Sequence, residues 1–231
     1  MPSVSSVTRK FKQPRGGFIA PKLFDIVQFD DGKELYLEES ITPNLMGLVV
    51  DYLSRFTNGV SLTDAFNISL LGAHLVNESS QAQEMLSNIK GLDDVSIINA
   101  CRLVGYDTAV RAGVSRFISG KTNNPDSETL YNIRTMVERS GTFIKKYGPI
   151  VVSDFTFEGG YTNKISSGDG DFLTKNTLWD FKVSKKKMTN KQTLQLIVYY
   201  LMGQESIHSD FENISKIGIY NPRLNLAYIL E

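Results

Sequence analysis

The spacing of hydrophobic and polar residues predicts a helical first part and a strand-rich second part. Thr42-Pro43 predicts a helix start, with threonine as the N-cap and proline in the first turn, and Asn58-Gly59 predicts its end. Hydrophobic residues then recur at helical spacing between polar breaks. The further predicted helices span residues 61–75, 80–90, 94–104, 106–119 and 126–147.

From Pro149 onward, β-branched and aromatic residues predict short strands. These predicted strands span residues 150–157, 171–174, 177–183, 214–220 and 224–230, and a helix capped by Thr189 runs to Gly203. A separate strand pair is predicted at 24–29 and 34–37. The pattern therefore predicts a mixed α/β (α+β) fold, in which a mixed central sheet is flanked by helices and the N-terminal half is helical.

We expect an extended N-terminal arm at residues 1–17 and a single domain at 18–231. Within that domain, residues 41–147 form the mainly helical part and 148–231 form the sheet. A length of 231 residues with 41% hydrophobic content supports one sizeable core. No hydrophobic run approaches the ~18 residues of a membrane span, and residues 1–17 lack the hydrophobic region of a secretory signal. One cysteine excludes an internal disulfide, so we expect a cytoplasmic protein without a membrane partner.

Charge is balanced over the chain but is unevenly distributed along it. The formal net charge of zero gives no global reason to expect a nucleic acid partner. However, residues 1–15 carry four basic residues and no acid, residues 25–39 carry six acids, and residues 175–191 carry six lysines and one acid. A charge run is usually a solvated surface, and the charge alone favours that interpretation.

The strand predicted at 177–183 carries charged residues on one of its faces. Side chains alternate along a strand, so Asp180 and Lys182 share a face, whereas Trp179 and Phe181 point into a core.

If Lys175-Asn176 closes a hairpin, Asp171 lies opposite Asp180, with Cβ atoms roughly 4.5–5.5 Å apart. Opposed carboxylates need a compensating positive charge, and Mg²⁺ or Mn²⁺ fits such hard oxygen ligands. The alternative is a surface hairpin whose Asp180 and Lys182 pair with neighbouring residues.

The helix that follows presents three polar residues at helical spacing. Gln192, Gln195 and Tyr199 share one face. The alternative interpretation is that this is simply the solvent face of the helix. The predicted buried stripe consists of Leu194, Ile197, Val198 and Leu201.

Three short motifs occur in order between residues 150 and 231. They are Gly168-x-x-Asp171, Asp180-Phe181-Lys182 and Gln195-x-x-x-Tyr199. Together they resemble the RecB-type exonuclease branch of the PD-(D/E)XK nuclease superfamily, whose blocks read G-x-x-D, (D/E)-x-K and Q-x-x-x-Y. The resemblance implies a restriction-endonuclease-like core. The family also has an earlier helical G-x-x-x-H motif, where this chain has Gly47 and Asp51. Asp51 at the histidine position is either a third metal ligand or half of an ordinary pair with Arg55.

The resemblance implies a metal-dependent deoxyribonuclease, a hydrolase of phosphodiester bonds that is exonuclease-like. Asp171 and Asp180 would hold one or two Mg²⁺ or Mn²⁺ ions, with Asp51 as the further candidate. Lys182 would position the attacking water or stabilise the transition state. Gln195 and Tyr199 would hold the DNA or the geometry of the metal site.

The lysine-rich stretch would then contact phosphates without reading sequence. The expected nucleic-acid-binding residues are Lys185, Lys186, Lys187, Lys191 and Gln192. DNA, single- or double-stranded, is the expected partner. Because the chain has no helicase motif, processive action requires a helicase or recombination partner or a homo-oligomer. The alternatives are a catalytically silent module of the same fold that binds nucleic acid or protein, and a non-enzymatic α/β interaction protein.

Overall fold

The computed structural model describes residues 2–117 and 123–231, which form two compact units. The sheet unit comprises Met1–Asp30 and Phe143–Glu231, and the helical unit comprises Asp31–Thr142. The predicted single domain at 18–231 is thus divided into two units. The second boundary, at Thr142, falls within helix α8 (Ser127–Tyr147). The mixed α/β class is confirmed.

Within the described residues, one six-stranded mixed sheet forms the centre of the sheet unit. The strands are β1 (Asp25–Gln28), β2 (Val152–Phe155), β3 (Gly170–Leu173), β4 (Thr177–Phe181), β5 (Lys216–Asn221) and β6 (Leu226–Leu230). They lie in the order β1-β6-β5-β4-β3-β2, and among them only β4 and β5 run parallel. Parallel neighbours need a crossover, which helix α9 (Asn190–Gln204) supplies.

Both faces of the sheet are covered. On one face, Leu173 and Leu178 pack in a core with Leu196 and Tyr199 of α9. On the other face, Phe172 and Trp179 form a second core with Phe143 and Tyr220, whose rings stack at 4.0 Å. As predicted, β4 therefore presents Trp179 to one core and turns Asp180 to the opposite face.

The expectation of an extended N-terminal arm is wrong for residues 4–10. Helix α1 (Val4–Lys10) begins at Ser3, whose hydroxyl accepts the N–H of Ser6 at 3.2 Å. Val4 and Thr8 are buried, and the N–H of Val4 donates to the carbonyl of Ser167 at 3.0 Å. The segment is part of the sheet unit because its hydrophobic side completes the core beside α9.

The predicted strand at 34–37 is also wrong. Residues 34–37 form no strand, and β1 pairs with β6 instead. Within the helical unit, the N–H of Tyr36 donates to Oδ1 of Asn132 at 2.9 Å, and Nδ2 of Asn132 donates to the carbonyl of Tyr36 at 3.0 Å. A buried side-chain amide therefore satisfies the backbone groups that a strand partner would have used.

The predicted buried stripe of α9 is wrong at Leu201 and is confirmed only in part elsewhere. Leu201 is 57% exposed, whereas Leu194, Ile197 and Val198 are partly buried, and Ile197 and Val198 pack against the core. The face that carries Tyr199 packs on the sheet, so tertiary packing overrides the distribution of aliphatic residues. The buried residues of α9 are Thr193, Leu196, Tyr199, Met202 and Gly203.

The helical unit follows the predicted pattern closely. Thr42 caps α2, and α6 has the predicted bounds. The helix predicted at 106–119 stops at Arg111, and residues 118 and 119 lie outside the described residues. Among the described helices, none is long and hydrophobic enough to cross a membrane. The helices are α2 (Pro43–Thr57), α3 (Leu62–Ala65), α4 (Asn67–Leu75), α5 (Ser79–Ser87), α6 (Asp94–Val104), α7 (Asp107–Arg111) and α8 (Ser127–Tyr147).

Candidate active site

The candidate site is built on the hairpin of β3 and β4. The N–H of Thr174 donates to the carbonyl of Thr177 at 3.0 Å, which closes the turn. Leu173 pairs with Leu178 and Phe172 pairs with Trp179, so the predicted register is confirmed. The same register continued by one residue sets Asp171 opposite Asp180.

Asp171, Asp180 and Lys182 come together at the open end of this hairpin. Oδ2 of Asp171 accepts the N–H of Phe181 at 2.5 Å, which holds its carboxylate across the strand end. Nζ of Lys182 donates to Oδ1 of Asp180 at 2.7 Å. The Asp180 side chain is 2% exposed, whereas that of Lys182 is 29% exposed. A buried carboxylate is therefore tied to an ammonium group that reaches toward solvent.

The electrostatics of the pair reflect burial and mutual charge. Burial raises the pKa of Asp180 to about 6, and the neighbouring Asp171 charge adds to this rise while Lys182 opposes it. Burial acts to lower the pKa of Lys182, but the charges of Asp180 and Asp171 outweigh it and raise that pKa above its ordinary value. Lys182 therefore stays a cation at neutral pH, beside two carboxylates that repel one another.

One oxygen of this site lacks a hydrogen-bond partner. Oδ2 of Asp180 is buried and accepts no hydrogen bond from any described residue while both carboxyl groups are ionised, whereas a proton shared with the Asp171 side chain would join the two groups. A buried, unpaired carboxylate oxygen is costly unless a cation or a proton satisfies it. Two carboxylates suit Mg²⁺ or Mn²⁺, which retain waters and accept few protein ligands. Within the described part of the chain, no group of three or more His, Cys, Asp or Glu residues is placed to hold a metal.

Gln195 and Tyr199 face this site from α9. Nε2 of Gln195 donates to the Tyr199 hydroxyl at 2.8 Å, and the Tyr199 ring stacks on Phe157 at 5.2 Å. Burial raises the pKa of Tyr199 above its ordinary value, and the Asp180 charge raises it further. Tyr199 is 5% exposed, so the solvent-face interpretation is wrong for Tyr199, whereas Gln192 and Gln195 are only partly buried.

The glycine of the first motif has a packing role that the sequence did not reveal. A Cβ at Gly168 would lie 2.7 Å from Cγ2 of Val4 and 3.7 Å from Cε1 of Tyr199. The close approach lets α1 cover this side of the site. Val4 was not among the predicted site residues, and the only local signal was Ser3 at an N-cap position before a short helix that carries two valines.

Asp51 lies on α2, in the helical unit, and contacts a residue of the same helix. Its Oδ1 lies 3.8 Å from Nε of Arg55, so the ordinary i,i+4 pair is present. Arg55 is 5% exposed and also donates from Nη2 to the carbonyl of Ala65 at 3.0 Å. The pair is thus part of the packing of the helical unit.

The predicted nucleic-acid-binding residues lie between β4 and the first turn of α9. Lys185, Lys186, Lys187 and Lys191 are exposed. Gln192 is engaged in the helix cap, because its Oε1 accepts the N–H of Thr189 at 2.8 Å. Its role is therefore structural, since it orders the start of α9 after residues 182–189, which we call the lysine-rich loop.

Comparison of this chain with models of known protein families, with curated proteins and with solved structures finds no match.

Proposed function

We propose that the chain is a Mg²⁺- or Mn²⁺-dependent nuclease that hydrolyses DNA phosphodiester bonds, with a PD-(D/E)XK-type core and exonuclease-like action. The observation that carries the proposal is the convergence of Asp171, Asp180 and Lys182 at one hairpin end, with Oδ2 of Asp180 buried and unpaired among the described residues. The resemblance of the three sequence motifs supports the same assignment.

The proposed roles follow from the chemistry of each group. Asp171 and Asp180 would hold the cation, which when bound supplies an activated water and neutralises phosphate charge. Lys182 keeps its proton at neutral pH and stabilises the negative charge that develops on the phosphate. Gln195 fixes the Tyr199 hydroxyl and so acts as a positioning residue for the wall of the site.

A second candidate function is a catalytically silent module of the same fold that binds nucleic acid or protein. The direct contact between Nζ of Lys182 and Oδ1 of Asp180 favours it, because a self-contained ion pair can stabilise the hairpin without any ligand. In that case the charged residues act only within the fold.

The deciding experiment incubates linear and circular DNA with the protein in Mg²⁺, in Mn²⁺ or in EDTA. We expect metal-dependent degradation by the wild type, no measurable degradation by Asp180→Asn, and a loss of about a hundredfold to a thousandfold in Lys182→Ala. Exonuclease-like action predicts that the circular substrate survives.

The matched controls are Asp210→Asn and Lys164→Ala, which change exposed residues of the sheet unit that belong to neither β3 nor β4. Both should degrade DNA as the wild type does. Degradation that persists in Asp180→Asn and Lys182→Ala would refute the site. DNA binding without any degradation would favour the silent module.

A further inference from the structure

Two phenylalanine rings are held out of the core by a short turn in the N-terminal segment. Phe11 is 55% exposed and Phe18 is 57% exposed, and their ring centroids lie 6.1 Å apart. The N–H of Gly17 donates to the carbonyl of Pro14 at 2.9 Å, and Gly16 and Gly17 have φ angles of 93° and 87°. Only glycine adopts such angles readily, so this turn is specified by the sequence. We call residues 11–18 the aromatic loop.

The aromatic loop is fastened to the first residue of α9. Nε2 of Gln13 donates to the carbonyl of Asn190 at 3.0 Å, while its Oε1 accepts the N–H of Phe18 at 3.4 Å. A Cβ at Gly17 would lie 2.9 Å from Cγ of Asn190, so the two segments are in close contact. One side-chain amide thus orders the loop and joins it to α9.

This contact brings together the two basic segments of the sequence. Lys10, Lys12 and Arg15 are exposed in and beside the aromatic loop. Residues 1–24 and 181–204 contain no aspartate or glutamate. The cations exposed around Asn190 on the second segment include Lys186, Lys187 and Lys191. The surface therefore combines positive charge, to which neither segment adds an acid, with two accessible aromatic rings.

The chemistry of this surface selects its ligand. Positive charge without nearby carboxylates in the two segments attracts a polyanion, and exposed rings bind planar apolar groups by stacking. An unpaired nucleic acid strand offers both, whereas a duplex hides the faces of its bases. We propose that the aromatic loop, with Lys186, Lys187 and Lys191, binds single-stranded nucleic acid, whose bases stack on Phe11 and Phe18.

The inference deepens the proposed function, on which it rests for the nature of the ligand. The lysine-rich loop begins directly after β4, which carries Asp180, and ends just before Asn190, where the aromatic loop is attached. A strand bound along this surface is consequently led toward the hairpin end that carries the candidate catalytic groups.

The test measures the anisotropy of a fluorescent deoxythymidine oligonucleotide in EDTA, where binding is separated from hydrolysis. Phe11→Leu and Phe18→Leu keep a hydrophobic side chain but remove the aromatic ring. We expect each to weaken binding by about fivefold to a hundredfold, and Phe11→Trp to retain it. The slope of log K for binding against the logarithm of salt concentration should become shallower by about 0.7 in Lys186→Gln and in Lys187→Gln.

Ile207→Ala and Lys164→Gln are the matched controls, since both side chains are exposed residues of the sheet unit that do not belong to this surface. They should bind the oligonucleotide as the wild type does. Equal affinity of the wild type and Phe11→Leu/Phe18→Leu would overturn the proposal. It would also be overturned if the double variant lost the same factor on a duplex, because the rings would then contribute no base stacking.

The outcomes for the surface and for the proposed function separate cleanly. Oligonucleotide binding that depends on both rings, without degradation in Mg²⁺ or Mn²⁺, would support the surface and reject the nuclease. Metal-dependent degradation with affinity unchanged in Phe11→Leu/Phe18→Leu would support the nuclease and reject the surface.

Discussion

Asp180 concentrates the energetic cost of the candidate site in a single side chain. It is buried, lies opposite a second carboxylate and has one oxygen without a partner among the described residues. Lys182 offsets only part of this cost, because its Nζ contacts Oδ1 of Asp180 and not Oδ2. A divalent cation would satisfy the remaining oxygen and remove the repulsion from Asp171.

Mg²⁺ or Mn²⁺ should therefore raise the melting temperature of the wild type. Binding to the folded state alone contributes about 2.7 kcal/mol at a hundredfold excess over Kd. Asp180→Asn should lose the metal-induced shift, whereas Asp210→Asn, an exposed control, should keep it. Calorimetry across a metal titration checks this, and an equal shift in both variants would contradict it.

A second buried charge in the helical unit gives a pH-dependent prediction. Nε and Nη2 of Arg139 donate to the two Asp31 oxygens at 2.7 Å and 2.9 Å. The hydrogen-bonded Arg139 lowers the pKa of Asp31 below its ordinary value. Because the folded state binds this proton less readily than the unfolded state, the stabilisation is present above about pH 4 and is lost as the pH falls through the folded-state pKa.

Asp31→Asn should lower the free energy of unfolding at pH 7 by about 1–3 kcal/mol, because Arg139 is 7% exposed and would lose its charged partner. The same variant should show a flatter loss of stability below pH 4 than the wild type. Urea unfolding over a pH series measures both effects. If the free energy of unfolding falls equally steeply below about pH 4 in both proteins, the Asp31–Arg139 pair contributes nothing to stability.

At the scale of elements, the β3–β4 hairpin depends on close packing at Gly170. A Cβ there would lie 2.0 Å from Cε2 and Cζ of Phe155. That ring cannot yield, because it is 7% exposed and packs edge-on against Phe157 and Phe211, at 5.4 Å and 5.3 Å. The start of the strand that carries Asp171 is therefore fixed by a glycine.

Gly170→Ala should destabilise the protein by about 1–3 kcal/mol through this overpacking. Gly141→Ala is the matched control, because its Cβ would meet only Oδ1 of Asn58 at 3.9 Å and it lies within α8. That substitution should be neutral or stabilise by up to about 1 kcal/mol. Denaturant unfolding compares them, and equal midpoints would refute the packing argument.

Local signals predicted the elements whose determinants are close in sequence. The cap at Thr42 and the register of β3 and β4 follow from neighbouring residues, so both were predictable. The partner of β1 was not, because β6 lies far along the chain. The buried face of α9 was not either, since aliphatic residues occur on both sides and only the sheet decides between Leu201 and Tyr199. Asp171, Asp180 and Lys182 were predictable as a cluster because one hairpin positions all three.

At the scale of the whole molecule, the sheet unit is assembled from two distant parts of the chain. Residues 1–30 supply α1 and β1, and residues 143–231 supply the rest of the sheet and α9. Within this unit, the rings of Phe29 and Phe143 lie 6.3 Å apart, so the chain leaves and returns at neighbouring points.

A chain in which a short Gly/Ser linker replaces residues 31–142 should consequently fold as the sheet unit alone. Residues 143–231 without 1–30 should not, because the edge of β6 and the core beside α9 would be uncovered. Dispersion of amide resonances distinguishes a folded from an unfolded fragment. Equal dispersion with and without residues 1–30 would reject this view of the sheet unit.

The pairing of β1 with β6 also orders events during synthesis. β1 ends at Gln28 and its partner begins at Leu226, so roughly 200 residues must be added before the two strands can meet. At ~5–20 residues per second on the ribosome, this delay is about 10–40 s. During that interval Asp25–Gln28 has an unpaired edge, while the contiguous helical unit emerges complete. Nascent chains stalled before Leu226 are therefore the species in which chaperone protection of this strand matters most.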